Sequence, residues 1–177
     1  ERGRVGAGVG YISSGNCQAL APIAEELKQF TIFATCGTPR IFEESPRKYV
    51  FRTMAHATAD NVAAAMYVKE MFPNTKGYTG INQNYAWGQD SWRDFDLTMQ
   101  NLMPDTVASD KTQFPKIFAG QYGSEISAMS LDKADLVHSS FWGGDLEAFI
   151  VQGAARGLFK KKTGGPTGGG TAADRLG

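Results

Sequence analysis

The sequence predicts an α/β fold with parallel sheets, and three observations predict it. Short apolar runs rich in β-branched and aromatic residues alternate with helical patterns. Clusters of Gly, Pro, Ser, Thr and Asn punctuate the changes. The helical stretches are also long enough to carry the chain from the end of one strand to the start of a parallel neighbour.

The elements follow in chain order. Residues 9–12 form a short strand that runs into Ser13, Ser14, Gly15 and Asn16, a helix-start cluster. The helix over 19–27 has Pro22 in its opening turns, where a missing N–H is tolerated. Residues 30–35 are the second strand, closed by Cys36, Gly37, Thr38 and Pro39, and residues 49–53 the third. Asp60 caps a helix through Phe72, with Val62, Ala65 and Met66 on one face and Pro73 past its end.

A strand over 77–81 leads into an aromatic loop, Asn84, Tyr85, Ala86, Trp87 and Gly88. Residues 91–103 are helical, with Trp92, Phe95, Met99, Leu102 and Met103 at core spacing. Strands over 106–109 and 136–141 and helices over 124–131 and 145–157 complete the pattern. From residue 161 the chain is a Gly-rich stretch without apolar periodicity, which reads as a flexible tail.

Composition narrows the function classes. Of 177 residues, 18 are Lys or Arg and 18 are Asp or Glu, so no broad basic field faces nucleic acid or anionic lipid. Hydrophobic residues at 42% and aromatics at 11% suffice for a core. No apolar run is long enough to span a membrane, and the start of the chain carries no apolar signal segment. Two cysteines are too few for a disulfide scaffold or a four-cysteine zinc site. Cys17 and Cys36 fall at the edges of neighbouring strands, either as a disulfide or as two buried thiols.

Enzyme motifs fail in turn. The stretch around Ser13 lacks the first glycine of a nucleophile elbow, and Gly6–Tyr11 has Tyr where a dinucleotide fingerprint needs its third glycine. His56 and His138 lack partners at metal-ligand spacing and read as surface or strand-edge imidazoles. No catalytic residue, metal ligand or cofactor is expected. Lys160, Lys161 and Lys162 read as a solvated helix terminus.

Strand-to-helix loops remain, and ligands of open parallel sheets bind outside the carboxyl ends of the strands. In the first loop Ser14 offers a hydroxyl, while Gly15 and Asn16 offer backbone N–H groups at a helix start, a setting suited to a carboxylate or to a plain N-cap. Cys36, Gly37 and Thr38 form the second loop, Tyr85 and Trp87 mark the third, and Phe141 and Trp142 the fourth. Trp87 and Trp142 each precede glycine and either line a small-ligand cleft or cover a sheet edge.

The stretches 10–22, 49–53, 84–88 and 149–158 resemble, in order and spacing, the substrate-binding proteins of branched-chain amino acid ABC transporters, the type 1 periplasmic binding proteins. The resemblance implies a two-lobed fold of Rossmann-like parallel sheets flanked by helices, closing over a ligand, here as an incomplete internal fragment. It implies partial lobe 1 over 1–55, most of lobe 2 over 56–160, and a tail over 161–177. By position, Ser14 and the Gly15 N–H would hold a ligand carboxylate, with Asn16 in the same loop, and Cys36, Gly37 and Thr38 would contact the carboxylate and ammonium. Trp87, beside Tyr85, stands where relatives usually carry Tyr, and Trp142 or Phe141 would lie under the ligand.

The implied function is the solute-binding component of an ABC importer, binding a small carboxylate such as a branched-chain or aromatic amino acid in an interlobe cleft. A membrane permease would be its partner and the periplasm or another extracytoplasmic space its location. A ligand-sensing receptor or regulator domain on the same fold is the alternative. No nucleic-acid partner is implied.

Overall fold

The computed structural model describes residues 6–166. The chain divides into two compact units, Glu1–Ala59 and Asp60–Gly177.

The first unit holds a parallel sheet of β1 (Gly8–Gly10), β2 (Thr31–Phe33) and β3 (Val50–Arg52), in that order. Helix α1 (Ser14–Glu26) carries the chain from β1 to β2, and a short helix that the sequence pattern did not signal, α2 (Arg40–Glu43), lies between β2 and β3. Cys17, Ala21 and Ala24 recur at helical spacing on α1 and pack against Phe33, Cys36, Ile41 and Val50. Cys17 and Cys36 are joined as a disulfide, their Cα atoms 6.3 Å apart, which decides between bridge and free thiols. The Glu25 carboxylate accepts the N–H groups of Lys48 and Tyr49 at 2.8 and 3.0 Å, tying the end of α1 to the approach to β3. Pro22 lies in the interior of α1, beyond the opening turns expected for it. It is exposed between the buried Ala21 and Ala24, so water can reach the carbonyl its missing N–H leaves free.

The second unit is built on β4 (Gly77–Ile81), β5 (Val107–Ala108), β6 (Leu136–Ser139) and β7 (Thr163–Pro166), parallel and ordered β5-β4-β6-β7. Helix α3 (Ala57–Met71) precedes β4, α4 (Ala86–Leu102) joins β4 to β5, and α5 (Gly123–Leu131) joins β5 to β6. Helices α6 (Gly143–Ala155) and α7 (Leu158–Lys161) return the chain to β7. The two-residue period of a strand divides the core. Val137 of β6 and Ile81 of β4 join Ile126, Met129, Leu146 and Phe149 of α5 and α6, whereas Leu136 and Tyr78 join Ala65, Val68, Phe95 and Met99 of α3 and α4.

Several expectations are corrected. Helix α3 begins at Ala57, so Asp60 sits in its first turn, favourable to the helix dipole but not as its cap. Met66, expected inward, is 58% exposed, while Ala65 and Val68 face the core. His138 is no strand-edge imidazole: β6 has neighbours on both sides. The ring stacks on Phe95 with centroids 4.3 Å apart, and Nε2 lies 2.7 Å from Asn61 Oδ1. Burial pushes its pKa down to about 3, because the charged form would lose its water.

The lysine run also divides. Lys160 and Lys161 are exposed, but Lys162 is buried, its Nζ donating to the carbonyls of Asp132 and Ala134. The flexible tail expected from residue 161 does not start there. Lys161 ends α7 and Thr163–Pro166 pairs with Leu136–Ser139, because a ladder is made by backbone groups that glycine also carries. The rest of that expected tail, 167–177, and residues 1–5 lie outside the described residues.

Candidate ligand-binding site

In the first unit the loops after β1 and β2 are locked together. Ser13 caps α1 with no side-chain capping bond, and Ser14 Oγ instead accepts the Thr38 N–H at 3.1 Å. Ser14 and Thr38 are buried, Gly15 and Asn16 exposed. An accepting serine oxygen keeps its hydrogen to donate. Thr38 Oγ1 accepts the Arg40 N–H at 3.3 Å. Arg52 donates through Nη1 to the carbonyls of Cys36 and Thr38 at 3.0 and 2.8 Å, and its guanidinium lies 5.2 Å from the Phe42 ring centroid. Burial lowers the Arg52 pKa, with Glu43 opposing. The disulfide fixes the loop from the other side. Of the second loop, Cys36 therefore offers no thiol, and its carbonyl, like those of Gly37 and Thr38, is already bonded.

In the second unit the aromatic stretch is helix, not loop. Tyr85 caps α4 in an extended conformation, and Ala86, Trp87 and Gly88 form its first turn. The cause is a close approach: a Cβ on Gly88 would run into the Gln83 carbonyl, so glycine lets the helix start against its own loop. Trp87, read as lining a cleft or covering a sheet edge, is 9% exposed, and its indole N–H donates to the Ser140 carbonyl at 2.8 Å. Asn82 Oδ1 accepts the Ser140 N–H at 3.0 Å, so the loops after β4 and β6 are joined twice. Phe141 is corrected as well. It is fully buried, with ring contacts to Tyr122 and Phe149 at 4.9 and 5.7 Å, and so belongs to the core.

Trp142 is the partly exposed member of that pair, and its indole N–H donates to Tyr85 Oη at 2.9 Å. Burial, more than Trp142 or Asp145, sets the Tyr85 pKa, which is pushed up to about 12 and keeps the phenol protonated near neutral pH. The sequence reading missed two residues here. Asp145, in the first turn of α6, accepts Gln83 Nε2 at 2.6 Å and the Phe118 N–H at 2.8 Å, both on Oδ2. Phe118 packs edge-on against Trp142, centroids 5.6 Å apart. Asp145 was legible only as a helix-start acid; Phe118 sits in an irregular segment with no periodic signal. Among the described residues no group of three or more His, Cys, Asp or Glu could hold a metal ion, and no helix is long and apolar enough to cross a membrane.

A family model described as periplasmic binding protein matches residues 1–177. The chain belongs to the periplasmic binding protein family. The fold agrees with solved structures of ABC transporter solute-binding proteins. One, from R. palustris in complex with 4-hydroxybenzoate, has a TM-score of 0.75 at 22% identity, over 88% of this chain and 40% of that one. A periplasmic binding protein from Burkholderia mallei gives 0.80 at 16%, over 93% and 42%. A leucine binding protein from Thermotoga maritima gives 0.74 at 18%, over 86% and 42%. The chain thus spans well under half the length of these periplasmic binding proteins. Comparison with curated proteins finds no match.

Both locked loop clusters of this periplasmic binding protein chain follow the carboxyl ends of their own parallel strands, the usual ligand edge of such sheets. Ser14 and Thr38 are brought together in one unit, and Tyr85 and Trp142 in the other.

Proposed function

We propose that the chain contributes to the solute-binding component of an ABC importer and binds a small carboxylate. The observation that carries this reading is the Ser14–Thr38 pair at the head of α1, a buried hydroxyl with a hydrogen still to donate. Beside it, the exposed residues Gly15 and Asn16 carry N–H groups of the first turn, where the positive end of the helix favours an anion. In the second unit, Tyr85 and Trp142 are partly exposed beyond the carboxyl ends of β4 and β6. Support also comes from similar solute-binding proteins solved with 4-hydroxybenzoate and with benzoate.

The partner would be the importer's membrane permease. The Cys17–Cys36 disulfide fits an extracytoplasmic, oxidising location. Isothermal titration of the intact protein with benzoate, 4-hydroxybenzoate, L-leucine and related acids tests the reading. Saturable binding of at least one acid, weakened by Ser14→Ala, is expected; no binding across the panel overturns it.

A further inference from the structure

Arg52 is the last residue of β3, at the carboxyl edge of the first unit's sheet, and it is partly buried. The two carbonyls it holds, those of Cys36 and Thr38, are both taken by one nitrogen, Nη1, at 3.0 and 2.8 Å. Its Nε and Nη2 donate to none of the described residues, and among those residues no carboxylate forms an ion pair with it. Glu43 acts on it through its charge alone, and the Phe42 ring centroid lies 5.2 Å away. A cation drawn partly out of water is costly unless an anion meets it. Carbonyl oxygens and a ring face offset part of that cost but carry no full charge. The guanidinium is thus left with donors and charge to spare. It also stands beside the candidate site: Arg52 donates to the C=O of Thr38, and Ser14 Oγ accepts the N–H of the same residue.

We propose that Arg52 is a specificity-determining residue of the carboxylate site, the charge that makes it select an anionic solute over a neutral one of the same shape. The proposal rests on the carboxylate-binding reading above and names the residue that sets the sign of the ligand. Three groups differ in what they offer. Ser14 gives one hydroxyl hydrogen, which the oxygen of a neutral amide accepts as a carboxylate does. The first turn of α1 adds roughly half a positive charge. Of the three, Arg52 carries a full charge, and a guanidinium does not lose it near neutral pH. Partial burial also leaves its attraction less screened by water and salt than that of an exposed side chain.

Benzoate, 4-hydroxybenzoate and L-leucine, each paired with its primary amide, separate charge from shape. All six are titrated calorimetrically into the intact protein and its Arg52→Gln and Arg52→Lys variants, with circular dichroism to check each fold. In the wild type, any acid that binds should be preferred over its amide by at least about tenfold, a comparison that needs no variant. That acid should bind about tenfold more weakly to Arg52→Gln, yet within about threefold of wild type to Arg52→Lys, which keeps the charge and gives up the planar fork. Amide affinity should stay within about threefold throughout. No preference for the acid in the wild type, or an acid affinity untouched by Arg52→Gln, overturns the proposal while leaving the carboxylate reading intact. Equal losses in Arg52→Gln and Arg52→Lys, or acid and amide weakening together, also overturn it and reduce Arg52 to a clamp on the Thr38 loop. Failure of all three acids to bind removes the underlying reading as well.

Discussion

The backbone N–H of Thr38 donates to Ser14 Oγ across 3.1 Å, joining the head of α1 to the loop after β2. One oxygen thus serves two purposes. It satisfies a buried donor of the scaffold, and it presents its own hydrogen at the end of a helix.

Ser14→Ala should therefore lower two quantities at once. Affinity for the carboxylate falls by about 1–3 kcal/mol, roughly five- to 150-fold, through the lost charge-assisted bond. Stability falls by about 1–3 kcal/mol because the Thr38 N–H is left buried and unpaired. Calorimetric titration and urea unfolding of one preparation check both; affinity lost without stability would contradict the shared role.

The Cys17–Cys36 bridge closes a sequence separation of 19 residues. Replacing both cysteines by alanine should cost about 3 kcal/mol, chiefly by freeing the unfolded chain. Unfolding of the wild type with reductant should approach the double variant, and a wild-type curve indifferent to reductant would contradict this.

His138 sets a pH dependence. Its folded pKa of about 3 lies below its unfolded value of 6.5, so between those values the unfolded chain binds the extra proton. The stabilisation is complete above the unfolded pKa and is lost as pH falls toward the folded one, at up to about 1.4 kcal/mol per pH unit. Unfolding free energies of the intact protein at pH 7 and pH 5 should differ accordingly. The difference should shrink in His138→Gln.

Phe118→Gly should raise stability by up to about 1 kcal/mol, since glycine adopts the left-handed backbone at no steric cost and keeps the N–H that Asp145 receives. Chemical denaturation reads this directly. A clear loss of stability would mean that the ring supports the fold.

Much of the fold was legible because strand and helix periods differ. Residues 77–81 match β4 as read, and the core spacing of Phe95 and Met99 holds. What escaped the pattern depends on long-range contacts. Trp87 looked like loop because helical periodicity begins only near Ser91, yet Gly88 lies close enough to the Gln83 carbonyl for α4 to start at Ala86. Phe141 and Trp142 are adjacent and similar in type, and only the Tyr122 and Phe149 rings decide which of them is core. His138 and Lys162 were read as exposed because their partners, Asn61 and the carbonyls of Asp132 and Ala134, are distant in sequence. In the candidate site, Ser14 and Thr38 were both named from sequence and do meet. Asp145 and Phe118 could not be paired without the fold.

The contact between Asp145 and residue 118 is made to a backbone N–H, which every amino acid except proline supplies. Position 118 can therefore change its side chain while the loop stays anchored, with Gly, Asn and Asp the easiest alternatives in a left-handed backbone. The anchor and the variable element are separable, so the side chain at this position can be exchanged without rebuilding the domain that presents it.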